Sequence, residues 1–179
     1  GALHCALQLA KERAISGAER QRRARFLADL LSGRELDPIV LARQASAFQY
    51  DPSPPQIVFT LGTVKGEGPD AEHLARRVQE ELTHRRVAGF VAVRPASTAP
   101  VLVLFPLSGE APARAGRRLA HALLEALSRQ FPQIALVGGL SRPLYTQREA
   151  KEAVEEAEQA WSLGCRLVGD QPFQLVDAS

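Results

Sequence analysis

The stretch IVFTLGTVKGEGPDAEHLARRVQEELTHRRVAGFVAVRPASTAPVLVLFPL, residues 57–107, decides the fold. It opens with Ile57–Val64, a run rich in β-branched and aromatic residues that is broken by Gly66, Gly68 and Pro69, which predicts a strand. A helix is predicted over Asp70–Arg86, with Leu74, Val78 and Leu82 on one face. Asp70 and Glu72 fall in its first turn and His84, Arg85 and Arg86 in its last, where the peptide dipoles favour those signs of charge. Val87–Val93 and Val101–Leu107 are two further predicted strands, and Arg94–Pro100 between them is hairpin-turn material.

Downstream the alternation continues. Pro112 opens a helix with Leu119, Leu123, Leu127 and Phe131 at spacing four, and Ile134–Leu140 predicts a fourth strand. Thr146 and Glu149 have the spacing of a capping box for a last helix carrying Ala150, Val154, Ala157 and Trp161, closed by Gly164. A short strand or tail, Arg166–Val176, follows. The order β-α-β-β-α-β-α-β contains the split β-α-β arrangement. The expected class is therefore α+β, a ferredoxin-like mixed sheet with helices stacked on one face. No period of about 20–50 residues recurs, which excludes a solenoid.

Upstream, Ala2–Leu31 is rich in Ala, Leu, Arg and Glu without Pro, which predicts one long N-terminal helix. Apolar residues recur at Leu3, Leu7, Ala10 and Ala14, and again at Phe26, Leu27, Leu30 and Leu31. Glu19, Arg20, Gln21, Arg22, Arg23 and Arg25 between them are too polar for a core, so the helix is expected to leave the body and meet a second chain or an upstream domain. Leu3, Leu7 and Ala10 are the expected dimer contact. Gly33 stops the helix; Asp37 and Pro38 then read as N-cap and first position of a short helix with Leu41, Ala42, Ala45 and Phe48 on one face. Asp51–Pro55 is a rigid connector. Residues 1–33 are thus expected to be an N-terminal linker helix and 34–179 the domain that follows it.

The chain has 179 residues, 45% hydrophobic and 23% charged, enough to bury a real core of one domain without disulfide or metal staples. A net charge of +2 implies no general electrostatic grip on nucleic acid or membrane. No apolar run approaches the length of about 18 residues that a membrane helix needs, and no signal peptide opens the chain, so a soluble, cytoplasmic protein is expected. Cys5 and Cys165 stand far apart and read as isolated reduced thiols. The absence of methionine and the start at Gly1 suggest an excised piece of a longer protein.

Three stretches carry a resemblance. Phe26-Leu27-Ala28-Asp29-Leu30-Leu31-Ser32-Gly33 resembles the FLxDLLxG opening of the central domain of PucR/CdaR-type bacterial transcription regulators. Val137-Gly138-Gly139-Leu140-Ser141-Arg142 is similar to their VGLS strand end with one glycine inserted or shifted, and Glu149–Ala160 to their SYREAREAL helix without its serine-tyrosine pair. The resemblance covers about residues 20–175. It implies a degenerate GGDEF-like domain of nucleotide-cyclase-like fold, set between an upstream sensor, from which residues 1–33 would be the signalling helix, and a C-terminal DNA-binding helix-turn-helix that lies outside this fragment.

An enzyme of the cyclase fold needs clustered carboxylates from the first strand and the central hairpin turn to hold two divalent metals. Ile57–Val64 contains no Asp or Glu, and the turn has Arg94 and Ser97 but no acid. No catalytic residue, metal or cofactor is expected. Gly62, Gly66 and Gly68 fit neither the Walker nor the dinucleotide spacing and read as a turn, with Lys65 solvated. His73, His84 and His121 lack a second histidine at ligand spacing and read as exposed. Ser141 resembles a nucleophile elbow, but Pro143 replaces its second glycine, which favours a turn or cap role. Arg20, Arg22, Arg23 and Arg25 read as a solvated face, and Trp161 as core. The expected function is a non-catalytic regulatory and dimerisation domain of a PucR/CdaR-like regulator, relaying a sensor signal, with DNA contacted only through the helix-turn-helix and with no membrane contact. The alternatives are a small-molecule effector domain and an active nucleotide cyclase.

Overall fold

The computed structural model describes residues 1–64 and 68–178, with residues 12–16 described by their backbone only. The elements run α1 (Ala2–Leu31), α2 (Pro38–Ser46), β1 (Gln56–Thr63), α3 (Ala71–His84), β2 (Phe90–Val93), β3 (Val101–Pro106), α4 (Pro112–Gln130), β4 (Leu136–Leu140), a 3-10 turn (Gln147–Glu149), α5 (Ala150–Leu167) and β5 (Phe173–Asp177). The sheet order is β2-β3-β1-β4-β5. β1 runs antiparallel to both β3 and β4, β2 antiparallel to β3, and β5 parallel to β4 through the α5 crossover. This is the ferredoxin-like β-α-β-β-α-β sheet widened by a fifth strand, with the long helix first, as the element order predicts.

Helices cover both faces of the sheet, not one. Ile57, Phe59 and Leu61 point from β1 into a core with Leu74, Val78 and Leu82 of α3 and Leu123, Leu124 and Leu127 of α4. Val58 of β1, with Phe90, Leu102 and Leu104, points the other way, against Phe26, Leu27 and Leu30 of α1 and Val154 and Ala157 of α5. The physical reason lies in the strand text: β3 is apolar at every position, β1 at all but Gln56, Thr60 and Thr63, and both are buried throughout except at their last residues, which only a sheet covered twice achieves.

Several boundaries move for local reasons. Asp70 stands outside α3 as its N-cap, accepting from the His73 amide at 2.7 Å. Arg86 adopts φ 57°, and the Val87 amide donates to Leu82 O at 2.9 Å, so Val87 closes α3 and β2 begins only at Phe90. The capping box does not form: the 3-10 turn intervenes, Thr146 makes no side-chain cap, and the Glu149 carboxylate accepts from the Tyr145 amide at 2.9 Å. Gly164 does not end α5 but lies buried inside it, where an added Cβ would sit 2.6 Å from Val137 Cγ1. Asp37 does cap α2, accepting from the Ile39 amide at 2.9 Å, and Gly33 follows α1 at φ 77°. Among the described residues no helix is long and apolar enough to cross a membrane.

Candidate functional site

The sheet end where β1 finishes and the β2–β3 turn folds over is the place where the cyclase fold would keep its metal carboxylates. The turn is held tightly. The Arg94 amide donates to Pro100 O at 2.6 Å, and the Ala99 amide to Ser97 Oγ at 3.2 Å. Arg94 Nη1 meets Glu158 Oε1 of α5 at 2.5 Å, and Ser97 Oγ lies 3.4 Å from the same oxygen. Trp161, one turn further along α5, packs with Ala99, Val137 and Val168. At Gly62 an added Cβ would meet Pro100 Cδ at 3.1 Å and Trp161 Cζ2 at 3.3 Å, so turn and indole together close on the strand end. Trp161 Nε1 is buried with no hydrogen-bond partner among the described residues.

Two glycines bring α5 this close. A Cβ on Gly139 would lie 2.0 Å from Ala157 O and 2.5 Å from Trp161 N, while one on Gly138 would strike the Phe59 ring at 2.5 Å on the other face. Thr60 Oγ1 donates to Ala157 O at 3.2 Å, which ties β1 to α5 at the same level. The double glycine of Val137–Arg142 is therefore a packing device on both sides of β4.

The donor set does not fit two divalent metals. β1 and the turn contain no carboxylate. Among the described residues no group of three or more His, Cys, Asp or Glu could hold a metal ion. The carboxylate that reaches the turn, Glu158, is already shared with Arg94 and Ser97. What stands in this space is an ion pair and an indole, which can lock the hairpin to α5 but offer no first shell for a hard cation.

The remaining sequence candidates separate. Lys65 and Gly66 lie outside the described residues; Gly68 sits in a turn at φ 113° against Ile134. His84 is exposed, but His73 is half-buried edge-on to Phe131 at 5.8 Å, and exposed His121 lies 5.1 Å from Phe173. Ser141 is buried: its hydroxyl accepts from the Val58 amide at 3.0 Å and donates to Arg142 O at 2.8 Å, which spends it on the ladder. Arg142 grips Glu156 with Nε at 3.1 Å and Nη2 at 2.5 Å, and that hydrogen bonding holds the Glu156 carboxyl below the usual glutamate range. Leu3, Leu7 and Ala10 are all exposed.

The arginine cluster corrects one expectation. Arg20 pairs with Glu72 and Arg22 with Glu19, both in solvent. Arg23 is no solvated residue. Its Nη1 donates to Val91 O at 2.9 Å, Nε to Glu19 Oε1 at 3.0 Å, and its guanidinium stands 5.2 Å from the Phe48 ring and 5.7 Å from that of Phe90. Helix periodicity puts Arg23 three residues before Phe26, on the buried stripe, but sequence alone does not say that a carbonyl at a strand edge awaits it. The Glu158 contact was equally hidden, because 64 residues separate it from Arg94.

The strand order and the closed hairpin end define an α+β domain consistent with a GGDEF-like fold, with no carboxylate on β1 or in the β2–β3 turn. Residues 32–163 match the GGDEF-like domain, and the chain belongs to that family. No curated protein matches it.

Proposed function

We propose that the chain is a non-catalytic regulatory and dimerisation domain of a PucR/CdaR-like bacterial transcription regulator, acting in the cytoplasm. It would relay the state of an upstream sensor to a C-terminal helix-turn-helix outside residues 1–179, and DNA would be contacted there. The observation that carries the reading is the filled hairpin end: Trp161 and the Arg94–Glu158 pair stand where a cyclase needs two metals, on strands with no carboxylate. The GGDEF-like match over residues 32–163 supports the domain type, and the exposed leucines of α1 support self-association. The helix is well placed for a relay, because its C-terminal turns pack on the sheet while its first turns project into solvent.

Incubation of the purified chain with GTP and magnesium tests the catalytic side of the reading. No cyclic dinucleotide is expected; product that disappears on adding EDTA would overturn it. The alternative of an effector-binding domain is favoured by a separate feature, a groove at the opposite end of the sheet.

A further inference from the structure

A groove of about 790 Å³ opens between the end of α1, the wall of α2, the 50–55 connector and the loop after β4. Pockets of roughly 300–1,000 Å³ are the size that takes small organic molecules. Its floor is core rather than surface: Leu30, Tyr50, Leu104, Leu144 and Ala150 are all buried. Of α2 only Ala45 is fully buried in that core; Leu41, half-buried against it, and Ala42 form the groove's wall.

The polar groups of the floor are spoken for. The Tyr50 hydroxyl donates to Gln56 Oε1 at 2.8 Å, and Gln56 Nε2 donates to Asp51 O at 2.9 Å and Ser53 O at 2.6 Å. What faces the groove beyond them is negative: Glu35, Asp37 and Asp51 line it, and among the described residues no Lys, Arg or His does. Asp37 accepts from the Ile39 amide and Asp51 from the Ser53 amide, each through one oxygen, so both charges remain. Glu35 is shared with Arg148 at 2.8 Å in an exposed pair. Burial first, and the Asp51 charge second, push the Tyr50 hydroxyl well above its ordinary range. Tyr145 sets an exposed aromatic ring at the wall.

We propose that this groove binds a small organic cation, an apolar body carrying an ammonium group. The body lies on Leu104, Leu144 and Tyr50; the ammonium turns toward Asp37 and Asp51, whose carboxylates favour it. Because Leu30 and the loop leading to α2 form part of the wall, occupancy braces the end of α1 against the sheet. The proposal goes beyond the relay reading and stands without it.

Isothermal titration of the 1–179 chain with tryptamine and with indole-3-propionate, the same ring system with opposite charge, tests it. Saturable one-to-one binding of tryptamine is expected, tighter than that of indole-3-propionate by about tenfold or more. Asp51→Asn should weaken tryptamine by about fivefold, and Ala42→Trp, which fills the groove, should abolish binding. Far-UV circular dichroism confirms that each variant is folded, and if either is not, the comparison of the two probes on the unaltered chain decides. No tryptamine binding, equal affinity for both probes, or affinity unchanged in both folded variants would overturn the proposal.

Discussion

At Gly139 the backbone of α5 crosses β4 so closely that Ala157 O and Trp161 N occupy the space of a side chain. Gly139→Ala must push a helix off the sheet, and a well-packed interface resists such overpacking; the expected loss is about 3 kcal/mol or more in urea unfolding. Gly17 provides the control. It lies in α1 with nothing within 4 Å of an added Cβ, so Gly17→Ala should instead stabilise the helix by about 0.5–1 kcal/mol, read as increased helical circular dichroism. Loss of stability at both positions, or at neither, would mean that the contact at Gly139 is not what constrains it. The pair also separates what is legible from what is not. Both residues are plain glycines in sequence, one inside a strand run and one inside a helix run, and only the helix crossing β4 distinguishes a required glycine from a costly one.

Among the elements, α1 is divided against itself. Phe26, Leu27 and Leu30 are buried, and Phe26 stacks within 5.0–6.1 Å of Phe48, Tyr50 and Phe90 in an aromatic cluster on the second face of the sheet. The first turns carry Leu3, Leu7 and Leu9 at 76, 63 and 54% exposure. An isolated helix that exposes this apolar stripe is only marginally stable in water, and burying it in a second copy removes the cost. Light scattering should therefore give a dimer for residues 1–179 and a monomer for a chain starting at Gln21, which keeps the buried Phe26 segment and loses Leu3, Leu7 and Ala10. The same number of chains per particle for both would remove α1 from the interface. The two apolar patches and the polar gap between them are readable in sequence; that the second patch covers a sheet face is not, because the sheet's second face shows itself only once β1 is known to be buried on both sides.

For the molecule as a whole, charge is balanced locally as well as in sum. The net charge is +2, and three of the four arginines of the densest basic segment are engaged: Arg20 by Glu72, Arg22 by Glu19, Arg23 by Glu19 and Val91 O. Phosphate binding needs several free cations on one surface, so residues 1–179 are expected not to retard duplex DNA at physiological salt in a gel-shift measurement. Retardation with a steep salt dependence, lost when Arg20, Arg22, Arg23 and Arg25 are replaced by alanine, would reverse this reading.

The alternation of apolar runs and amphipathic helices by itself determined the element order and hence the ferredoxin-like sheet, because hydrophobic period and turn residues are local properties that survive without any knowledge of neighbours. The lack of carboxylates on β1 and its hairpin is likewise a fact of sequence. Only the tertiary structure decided that helices cover both faces, that Gly164 continues a helix, that Arg23 is half-buried, and that Trp161 with Arg94 and Glu158 closes the hairpin end. The groove beneath α2 belongs to the same group. Each depends on residues tens of positions apart meeting in space, and the energy of such a meeting comes from packing and desolvation that no local pattern encodes.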